Sequence, residues 1–277
     1  MLRPTQKTHF LCQDCGHSSP KWNGRCPSCH SWGTLIEFKE ESPSASKQYR
    51  IPVNTESQVS TLDEQPISDG SRISSGLSEF DRVLGGGLVA GSVLLLAGDP
   101  GIGKSTILLQ VANSLTQQGK KVLYLSGEES GTQVRIRGER LGVDTSKIYF
   151  LSETDTESIG PHLSALSPDI LIIDSIQTLT SSASSSTAGS IVQIRECAQI
   201  FVNWAKSSGS PTFFTGHVTK EGSIAGPKVL EHMVDVVLSL EGDSFGNLRM
   251  IRNSKNRFGS TNDVALFEMT GTGLEQL

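Results

Sequence analysis

The sequence has few aromatic residues and no long apolar run. Phe, Trp and Tyr make up 6 % of its 277 residues and hydrophobic residues 36 %, which is lean for one compact unit. No apolar run approaches the roughly 18 residues that a membrane-spanning helix needs, and the first residues lack the apolar segment of a secretory signal. We therefore expect a cytoplasmic protein without a membrane segment, in which part of the chain has little core of its own.

Cysteine is scarce and unevenly placed. Four of the five cysteines lie within the first 29 residues, in the stretch CQDCGHSSPKWNGRCPSC. Two C-x2-C pairs separated by ten residues can form two tight turns, which offer four thiolates in the tetrahedral array that Zn²⁺ prefers. Two disulfides are the alternative, but thiols stay reduced in the cytosol. The predicted zinc ligands are Cys12, Cys15, Cys26 and Cys29.

Two further expectations concern the same module and the fifth cysteine. We expect Trp22 and Trp32 to pack over the zinc site, with stacking on a nucleic-acid base as the alternative. Zinc binding should supply much of the folding free energy, because so short a segment cannot form a sufficient core. Cys197 falls in a predicted helix and is expected to be a small buried apolar residue.

An excess of basic residues is also lacking. The chain has 24 Lys and Arg against 29 Asp and Glu, a formal net charge of −5. That balance argues against a generally basic surface for nucleic acid, although it allows a local one. Residues 244–262 contain no acidic residue and hold four cations. These cations are Arg249, Arg252, Lys255 and Arg257.

Three regions differ in composition. Residues 1–39 form the cysteine module, residues 40–70 have the polar composition of a linker, and residues 71–277 alternate apolar runs with segments of helical length. Runs that are apolar almost throughout predict parallel strands covered on both faces, and so an α/β domain with a mostly parallel sheet. The Ser-rich run 179–190 is interpreted as a mobile loop outside the core.

The element boundaries can be estimated from the same pattern. Strands are predicted at 92–98, 121–127, 147–152, 169–175, 211–217 and 234–240, with an antiparallel extension at 247–254 and 263–269. Helices are predicted at 104–118, 130–141, 156–166 and 190–207.

The stretch GDPGIGKST matches the phosphate-binding pattern G-x4-G-K-[ST] at every fixed position. It follows one predicted strand and opens a predicted helix, as that motif requires. Its glycines let backbone amides approach phosphates, Lys104 can reach the β- and γ-phosphates, and the Ser105 hydroxyl can hold Mg²⁺. The predicted nucleotide-binding residues are Gly98, Asp99, Pro100, Gly101, Ile102, Gly103, Lys104, Ser105 and Thr106, together with Asp174.

Carboxylates follow two other predicted strands. Asp174 ends the buried run DILIID, where a carboxylate can support Mg²⁺ beside the phosphate loop. Glu128 and Glu129 follow LYLSG, and either could polarise an attacking water. A solvated first helical turn is the alternative for this pair, because Glu is favoured there.

The stretch ISSGLSEFDRVLGGGLVAGSVLLLAGDPGIGKST resembles the RecA-like ATPase superfamily. Together with the four-cysteine module and the later KNRFG, it resembles the RadA (Sms) family of bacterial DNA repair proteins. The resemblance implies that Glu128 is the catalytic glutamate, with Glu129 as the second choice, and that Asp174 is the Walker B aspartate. It covers essentially the whole chain. Family members typically continue into a domain resembling the Lon protease. This sequence does not include it, and we expect either a fragment of a longer protein or a member without that domain.

The resemblance also implies roles for several polar residues. His217 is placed like a polar switch at the end of a core strand, and residues 218–228 like a DNA-facing loop with Lys220 and Lys228 as its cations. Lys255 and Arg257 of KNRFG would contact either the phosphates of a neighbouring subunit or DNA. We expect Gly259 to allow an unusual turn in that motif.

The function implied by the resemblance is an ATP-hydrolysing motor of recombinational repair. Such a motor forms a hexameric ring on single-stranded DNA and promotes branch migration of branched recombination intermediates beside a RecA-type recombinase. Its cofactors would be ATP, Mg²⁺ and Zn²⁺. One alternative is a clock-type RecA-like ATPase that switches protein partners without DNA translocation. Another is a binding module in which ATP sets only the assembly state.

Overall fold

The computed structural model describes residues 8–12, 17–39, 61, 72–182, 189–217, 227–242 and 246–277. These residues form a three-stranded sheet near the N-terminus and a nine-stranded sheet with helices. In these ranges no helix combines the length and the apolar character needed to cross a bilayer.

The small sheet belongs to the cysteine module. Its strands are β1 (Thr8–Cys12), β2 (Ser18–Ser19) and β3 (Leu35–Lys39). They pair antiparallel in the order β2-β1-β3. A backbone bridge between Arg25 and Trp32 closes the turn that carries the second cysteine pair.

The large domain alternates strands and helices over most of its length. Its strands are β4 (Val93–Gly98), β5 (Val122–Ser126), β6 (Tyr149–Ser152), β7 (Ile170–Asp174), β8 (Thr212–His217), β9 (Val236–Gly242), β10 (Leu248–Asn256), β11 (Val264–Thr270) and β12 (Gly273–Gln276). Its helices are α1 (Ser78–Leu84), α2 (Lys104–Gln117), α3 (Gly131–Arg140), α4 (Thr156–Leu166), α5 (Ile191–Ser208) and α6 (Pro227–Met233).

The large sheet has the order β12-β11-β10-β9-β4-β8-β7-β5-β6. The six strands from β9 to β6 in that order are parallel, and β10, β11 and β12 extend the β9 edge antiparallel. The predicted mostly parallel α/β sheet is therefore confirmed, together with its antiparallel extension. Because successive side chains of a strand point to opposite faces, Leu94 and Leu96 of β4 enter one core and Val93 and Leu95 the other.

Each face of the sheet is covered by helices. On one side, α1 and α2 bury Phe80, Leu84, Ile107 and Leu108. On the other side, α4 and α5 bury a second set that includes Cys197, which is fully buried as predicted. Burial raises the pKa of the Cys197 thiol to about 12, so this thiol stays neutral and packs as an apolar group.

The prediction of a mobile loop at 179–190 is wrong at its start. Leu179 is fully buried in the core beside α5, and Ser181 is 5 % exposed. The backbone of Thr180 exchanges hydrogen bonds with residues at the start of α4, at 2.8 and 2.9 Å. The prediction was made from composition and treated residues 179–190 as one unit. In the structure, the single leucine of this run, Leu179, packs into the core and anchors residues 179–181. Residues 183–188 lie outside the described part of the chain.

Helix α1 was not predicted, because it has only seven residues and ends directly before the glycines at 85–87. Its core residues Phe80, Val83 and Leu84 nevertheless follow helical spacing. Gly85 ends the helix with φ 81°, and its N–H binds the carbonyls of Asp81 and Arg82. Helices often end at a glycine in the left-handed conformation, so Gly85 is the residue in the sequence that could have marked the end of α1.

Candidate nucleotide site and zinc module

The phosphate loop connects the end of β4 to the start of α2. Gly101 and Gly103 have φ values of 76° and 119°, a region that side chains other than glycine rarely adopt. Gly98 has ordinary backbone angles, but a Cβ there would lie 2.5 Å from the carbonyl oxygen of Leu240. The glycines of the motif are therefore needed for two reasons, conformation at 101 and 103 and close backbone approach at 98.

The motif residues differ in their exposure. Asp99 and Pro100 are exposed, whereas Ile102, Ser105 and Thr106 are partly buried. Lys104 is only 6 % exposed, and its Nζ donates hydrogen bonds to the carbonyl oxygens of Gly98 and Asp99, both at 2.9 Å. The Lys104 ammonium is therefore bound to the backbone at the start of its own phosphate loop.

The Lys104 ammonium is held in a mixed environment. Desolvation is the largest influence and lowers its pKa, while the carboxylates of Asp174, Glu128 and Asp99 oppose that shift. Lys104 follows β4, Asp174 ends β7 and Glu128 follows β5, and these strands run parallel in one sheet. The structure therefore places Lys104, Asp174 and Glu128 at the carboxyl edge of the parallel strands. Ligands bind at this edge in open α/β sheets.

Asp174 is fixed from both sides by strands that flank β7. The Tyr124 hydroxyl of β5 donates to Oδ2 at 2.5 Å, and the Thr215 hydroxyl of β8 donates to Oδ1 at 2.7 Å. Tyr124 and Thr215 are fully buried, and Asp174 is 8 % exposed. Burial and the nearby Asp174 charge raise the Tyr124 pKa well above its usual range, so the phenol remains a donor.

Sequence reasoning missed Tyr124 and Thr215. Both occur as polar atoms inside strands that are otherwise apolar, which is the signal that could have found them. A buried hydroxyl needs a hydrogen-bond partner, and β5 and β8 are the strands on either side of β7.

Glu128 and Glu129 point to different partners. An oxygen of Glu128 accepts a hydrogen bond of 2.5 Å from the hydroxyl of Ser175, the residue that follows Asp174. Glu129 forms an ion pair with Arg137 of α3. The neighbouring carboxylates are thereby separated, one toward the phosphate loop and the other toward the helix.

The cations of KNRFG are bound by groups of their own chain. Lys255 Nζ donates to the carbonyl oxygens of Glu231 and Val234 at 2.5 and 2.8 Å, at the end of α6. Arg257 Nη1 lies 2.9 Å from an oxygen of Asp235, which is only 4 % exposed. Desolvation and the neighbouring Arg257 charge lower the Lys255 pKa.

The strand register places KNRFG away from the phosphate loop of the same chain. Lys255 pairs with Val237, and Val237 pairs with Leu95, whereas Gly98 pairs with Leu240. Three residues of strand separate the two levels by about 10 Å, and the chain continues from Lys255 away from the loop. The KNRFG cations therefore lie toward the opposite edge of the sheet from Lys104.

The expectation that Gly259 allows an unusual turn is wrong. Gly259 is absent from the left-handed glycines of the described chain, but a Cβ on it would lie 3.3 Å from Cα of Gly85. Arg72 ties the same two loops together, donating to the carbonyls of Leu84 and Phe258 at 3.0 and 2.5 Å. Close packing of KNRFG on the end of α1 is what requires a glycine.

The predicted DNA-facing loop is described only at its end. Pro227 and Lys228 begin α6, so these two positions are helical rather than loop. Lys220, and the side chains of His217 and Lys228, lie outside the described residues. Their predicted roles remain predictions.

Three cysteines of the module converge. The Sγ atoms of Cys12, Cys26 and Cys29 lie within 4.8 Å of one another, and those of Cys12 and Cys29 are 3.5 Å apart. Thiolates around tetrahedral Zn²⁺ are about 3.8 Å apart, given Zn–S bonds of about 2.3 Å. The three residues therefore fit zinc. Cys15, the fourth predicted ligand, lies outside the described part of the chain.

The expectation that the two tryptophans pack over this site is wrong. Trp22 is 61 % exposed and Trp32 is 75 % exposed. Among the described residues, the buried cluster of the module consists of Cys12, Cys26 and Leu35, with Phe10 and Cys29 packed against it, and includes neither indole.

Comparisons with known proteins agree with this architecture. A family model described as an AAA domain matches residues 58–223, and one described as a rubredoxin metal binding domain matches residues 10–37. The chain is 46 % identical to the DNA repair protein RadA of Bacillus subtilis over 98 % of its own length. It is 47 % identical to the RadA proteins of Halalkalibacterium halodurans and Campylobacter jejuni, over 98 % and 97 % of its length. It spans 60 % of each of these relatives.

A solved structure supports the fold. A KaiC-like protein of Pyrococcus horikoshii superposes with a TM-score of 0.62 at 22 % identity, over 75 % of this chain and 99 % of that one. At this identity the likeness concerns the RecA-like fold alone. The AAA family implies ATP and Mg²⁺ as cofactors, and the cysteine cluster with its matching domain implies Zn²⁺. The chain belongs to the AAA domain family, and its similarity along nearly its whole length groups it with the RadA DNA repair proteins.

Proposed function

We propose that this chain is an ATP-hydrolysing, DNA-binding motor of recombinational repair. It assembles as a ring, hexameric in our proposal, on single-stranded DNA and promotes branch migration of recombination intermediates beside a RecA-type recombinase. The observation that carries the proposal is the group of Lys104, Asp174 and Glu128 at one sheet edge, with the KNRFG cations toward the other. The similarity to RadA proteins supports the DNA repair role.

The residues of the loop edge suit phosphoryl chemistry. The backbone amides of the phosphate loop and Lys104 would bind the phosphates, and Lys104 would exchange its two carbonyl acceptors for phosphate oxygens. Ser105 and Asp174 would hold Mg²⁺, which when bound neutralises phosphate charge. Tyr124 and Thr215 keep the Asp174 carboxylate in one orientation, as outer partners of metal ligands do.

Glu128 is the better candidate for polarising the attacking water. Its carboxylate lies beside Ser175 and interacts electrostatically with Lys104. The Glu129 carboxylate is committed to Arg137. Glu128 would accept a proton from a water molecule that is aligned with the γ-phosphate. That water attacks the γ-phosphorus, the bond from the γ-phosphorus to ADP breaks, and ADP and phosphate are released.

The position of KNRFG supports action between subunits. Lys255 and Arg257 lie too far along the sheet to reach the phosphates bound in their own loop. A ring brings the edge of one subunit against the nucleotide of the next or against central DNA. Lys255 or Arg257 would then sense that phosphate, and Arg is suited to the developing charge.

Steady-state ATP hydrolysis with and without single-stranded DNA tests the proposal. We expect DNA to stimulate the wild type, Lys104→Ala to be inactive, and Lys255→Ala to keep basal hydrolysis while losing the stimulation. Melting curves should accompany Lys255→Ala, because this ammonium also caps α6. Hydrolysis that is indifferent to DNA would support the clock-type switch instead. Absence of multiple turnover would support a binding module.

A further inference from the structure

The zinc module exposes a pair of aromatic side chains. Trp22 and Trp32 are 61 % and 75 % exposed, although an indole is usually mostly buried. Both lie beside Gly24, where an added Cβ would be 3.8 Å from Trp22 and 3.7 Å from Trp32, which is ordinary contact distance. The two indoles therefore border the same short stretch of backbone. We call Trp22, Gly24, Arg25 and Trp32 the tryptophan face.

Arg25 is held in place on this face. Its guanidinium carbon lies 5.9 Å from the centre of the Trp32 ring, in the range of a cation–π contact. Its Nε donates to the carbonyl oxygen of His30 at 2.8 Å, and its backbone pairs with that of Trp32. One guanidinium nitrogen is thereby bound, and because the residue is exposed the other two can contact an anion from solution.

The charge of the module differs in sign from that of the chain. Residues 1–39 hold five Lys and Arg against two Asp and Glu, whereas the whole chain has an excess of acids. The module stays positive after the negative charge of four thiolates around one Zn²⁺ is counted. Further polar residues of the same segment are also exposed, whereas a protein-docking surface would have more apolar residues at its centre. They are Lys21, Asn23, Ser28 and His30.

We propose that the tryptophan face binds single-stranded nucleic acid, with bases stacking on Trp22 and Trp32 and a phosphate contacting Arg25. Stacking tolerates any base, because every base has a π-face. The face therefore suits sequence-independent capture of a strand. The inference rests on the proposed function, and it adds a contact outside the ATPase sheet.

Intrinsic fluorescence offers a direct test with the full chain. Trp204, the third tryptophan, is 5 % exposed inside the domain, so Trp204→Phe leaves only the two indoles of the face as emitters. Titration with a thymidine oligonucleotide of about 15 nucleotides should quench this emission. Fluorescence anisotropy of a labelled oligonucleotide should saturate at the same concentration. An abasic oligonucleotide of equal length should not quench and should bind more weakly.

Substitutions test the same contact by affinity. Trp22→Ala and Trp32→Ala should each weaken binding about tenfold, while Trp22→Phe, which keeps an aromatic ring, should weaken it less. Tyr149→Ala removes an aromatic that is 49 % exposed on β6, and it should leave affinity unchanged. A zinc content of each alanine variant equal to that of the wild type would show that its module is folded. If an alanine variant loses zinc, the affinity of Trp22→Phe tests the tryptophan face instead.

The outcomes separate this inference from the proposed function. Tight oligonucleotide binding without quenching, or equal binding by the abasic strand, overturns base stacking on the face but leaves the DNA motor standing. No binding of any strand by the wild type overturns both. Quenching that requires bases and disappears with either alanine variant supports the tryptophan face.

Discussion

Replacing Arg257 by alanine should destabilise the ATPase domain in addition to any effect on activity. The guanidinium contacts Asp235, whose side chain is 6 % exposed. One Asp235 oxygen accepts the N–H of Val93 at 3.1 Å, and the other accepts Arg257 at 2.9 Å. Arg257→Ala therefore leaves a buried carboxylate oxygen without its charged partner.

The size of the effect follows from the burial of the two partners. A buried acceptor left unsatisfied costs about 1–3 kcal/mol, and a fully buried ion pair broken on one side costs about 3–5 kcal/mol. The Arg257 side chain is 50 % exposed, so water can partly replace it. We expect a loss of about 2 kcal/mol, which lowers Tm by about 4–8 °C in a domain of this size.

Thermal unfolding monitored by circular dichroism measures this loss. The matched control is Arg252→Ala on β10, five residues before Arg257, since Arg252 and its partner Glu241 are each 51 % exposed. Exposed pairs of this kind contribute about 0–1 kcal/mol, so the control should melt close to the wild type. Arg257→Lys should recover part of the stability because it keeps a cation beside Asp235.

Equal melting of the two alanine variants would refute the reasoning. It would mean that water satisfies Asp235 as well as the guanidinium does. If the loss is found, reduced hydrolysis by Arg257→Ala cannot be assigned to phosphate sensing until activity is compared well below the melting temperature.

Three further predictions concern the other sites. Tyr124→Phe frees one oxygen of Asp174, the carboxylate that we propose holds Mg²⁺, and should raise the Mg²⁺ concentration for half-maximal hydrolysis about tenfold; an unchanged Mg²⁺ titration contradicts this. Glu128→Gln should slow hydrolysis at least about 100-fold without loss of nucleotide binding, whereas Glu129→Gln should chiefly lower Tm because it breaks the ion pair with Arg137. Cys26→Ser should abolish zinc binding, measured by metal analysis, yet leave the main melting transition of the ATPase domain in place.

The sheet and the phosphate loop could be predicted because their signals are local. A run such as DILIID has the continuous apolar character of a strand covered on both faces, and the observed strand, Ile170–Asp174, falls inside the predicted range. The loop motif likewise carries its own conformation, since Gly101 and Gly103 occupy backbone regions that favour glycine. Neither inference needed to know which segments meet in space.

The contacts that complete the site could not be predicted for the opposite reason. Tyr124 meets Asp174 across 50 residues of sequence, and Arg257 meets Asp235 across 22. These pairs depend on strand order and register, which a hydrophobic pattern does not determine. The prediction for Trp22 and Trp32 was wrong for a different reason. It assumed that large aromatic side chains are buried, which requires a core with enough volume.

The contact between Lys255 and α6 has a thermodynamic consequence. Helix α6 has only seven residues, too few to persist in water without help from its surroundings. Lys255 supplies that help by binding carbonyl oxygens of Glu231 and Val234. An external phosphate that draws the ammonium away must compete with these two acceptors and weakens the helix end. This coupling is reciprocal. If phosphate binding to Lys255 disfavours the helical state of α6 by a given factor, loss of that helical state raises the affinity of Lys255 for the phosphate by the same factor.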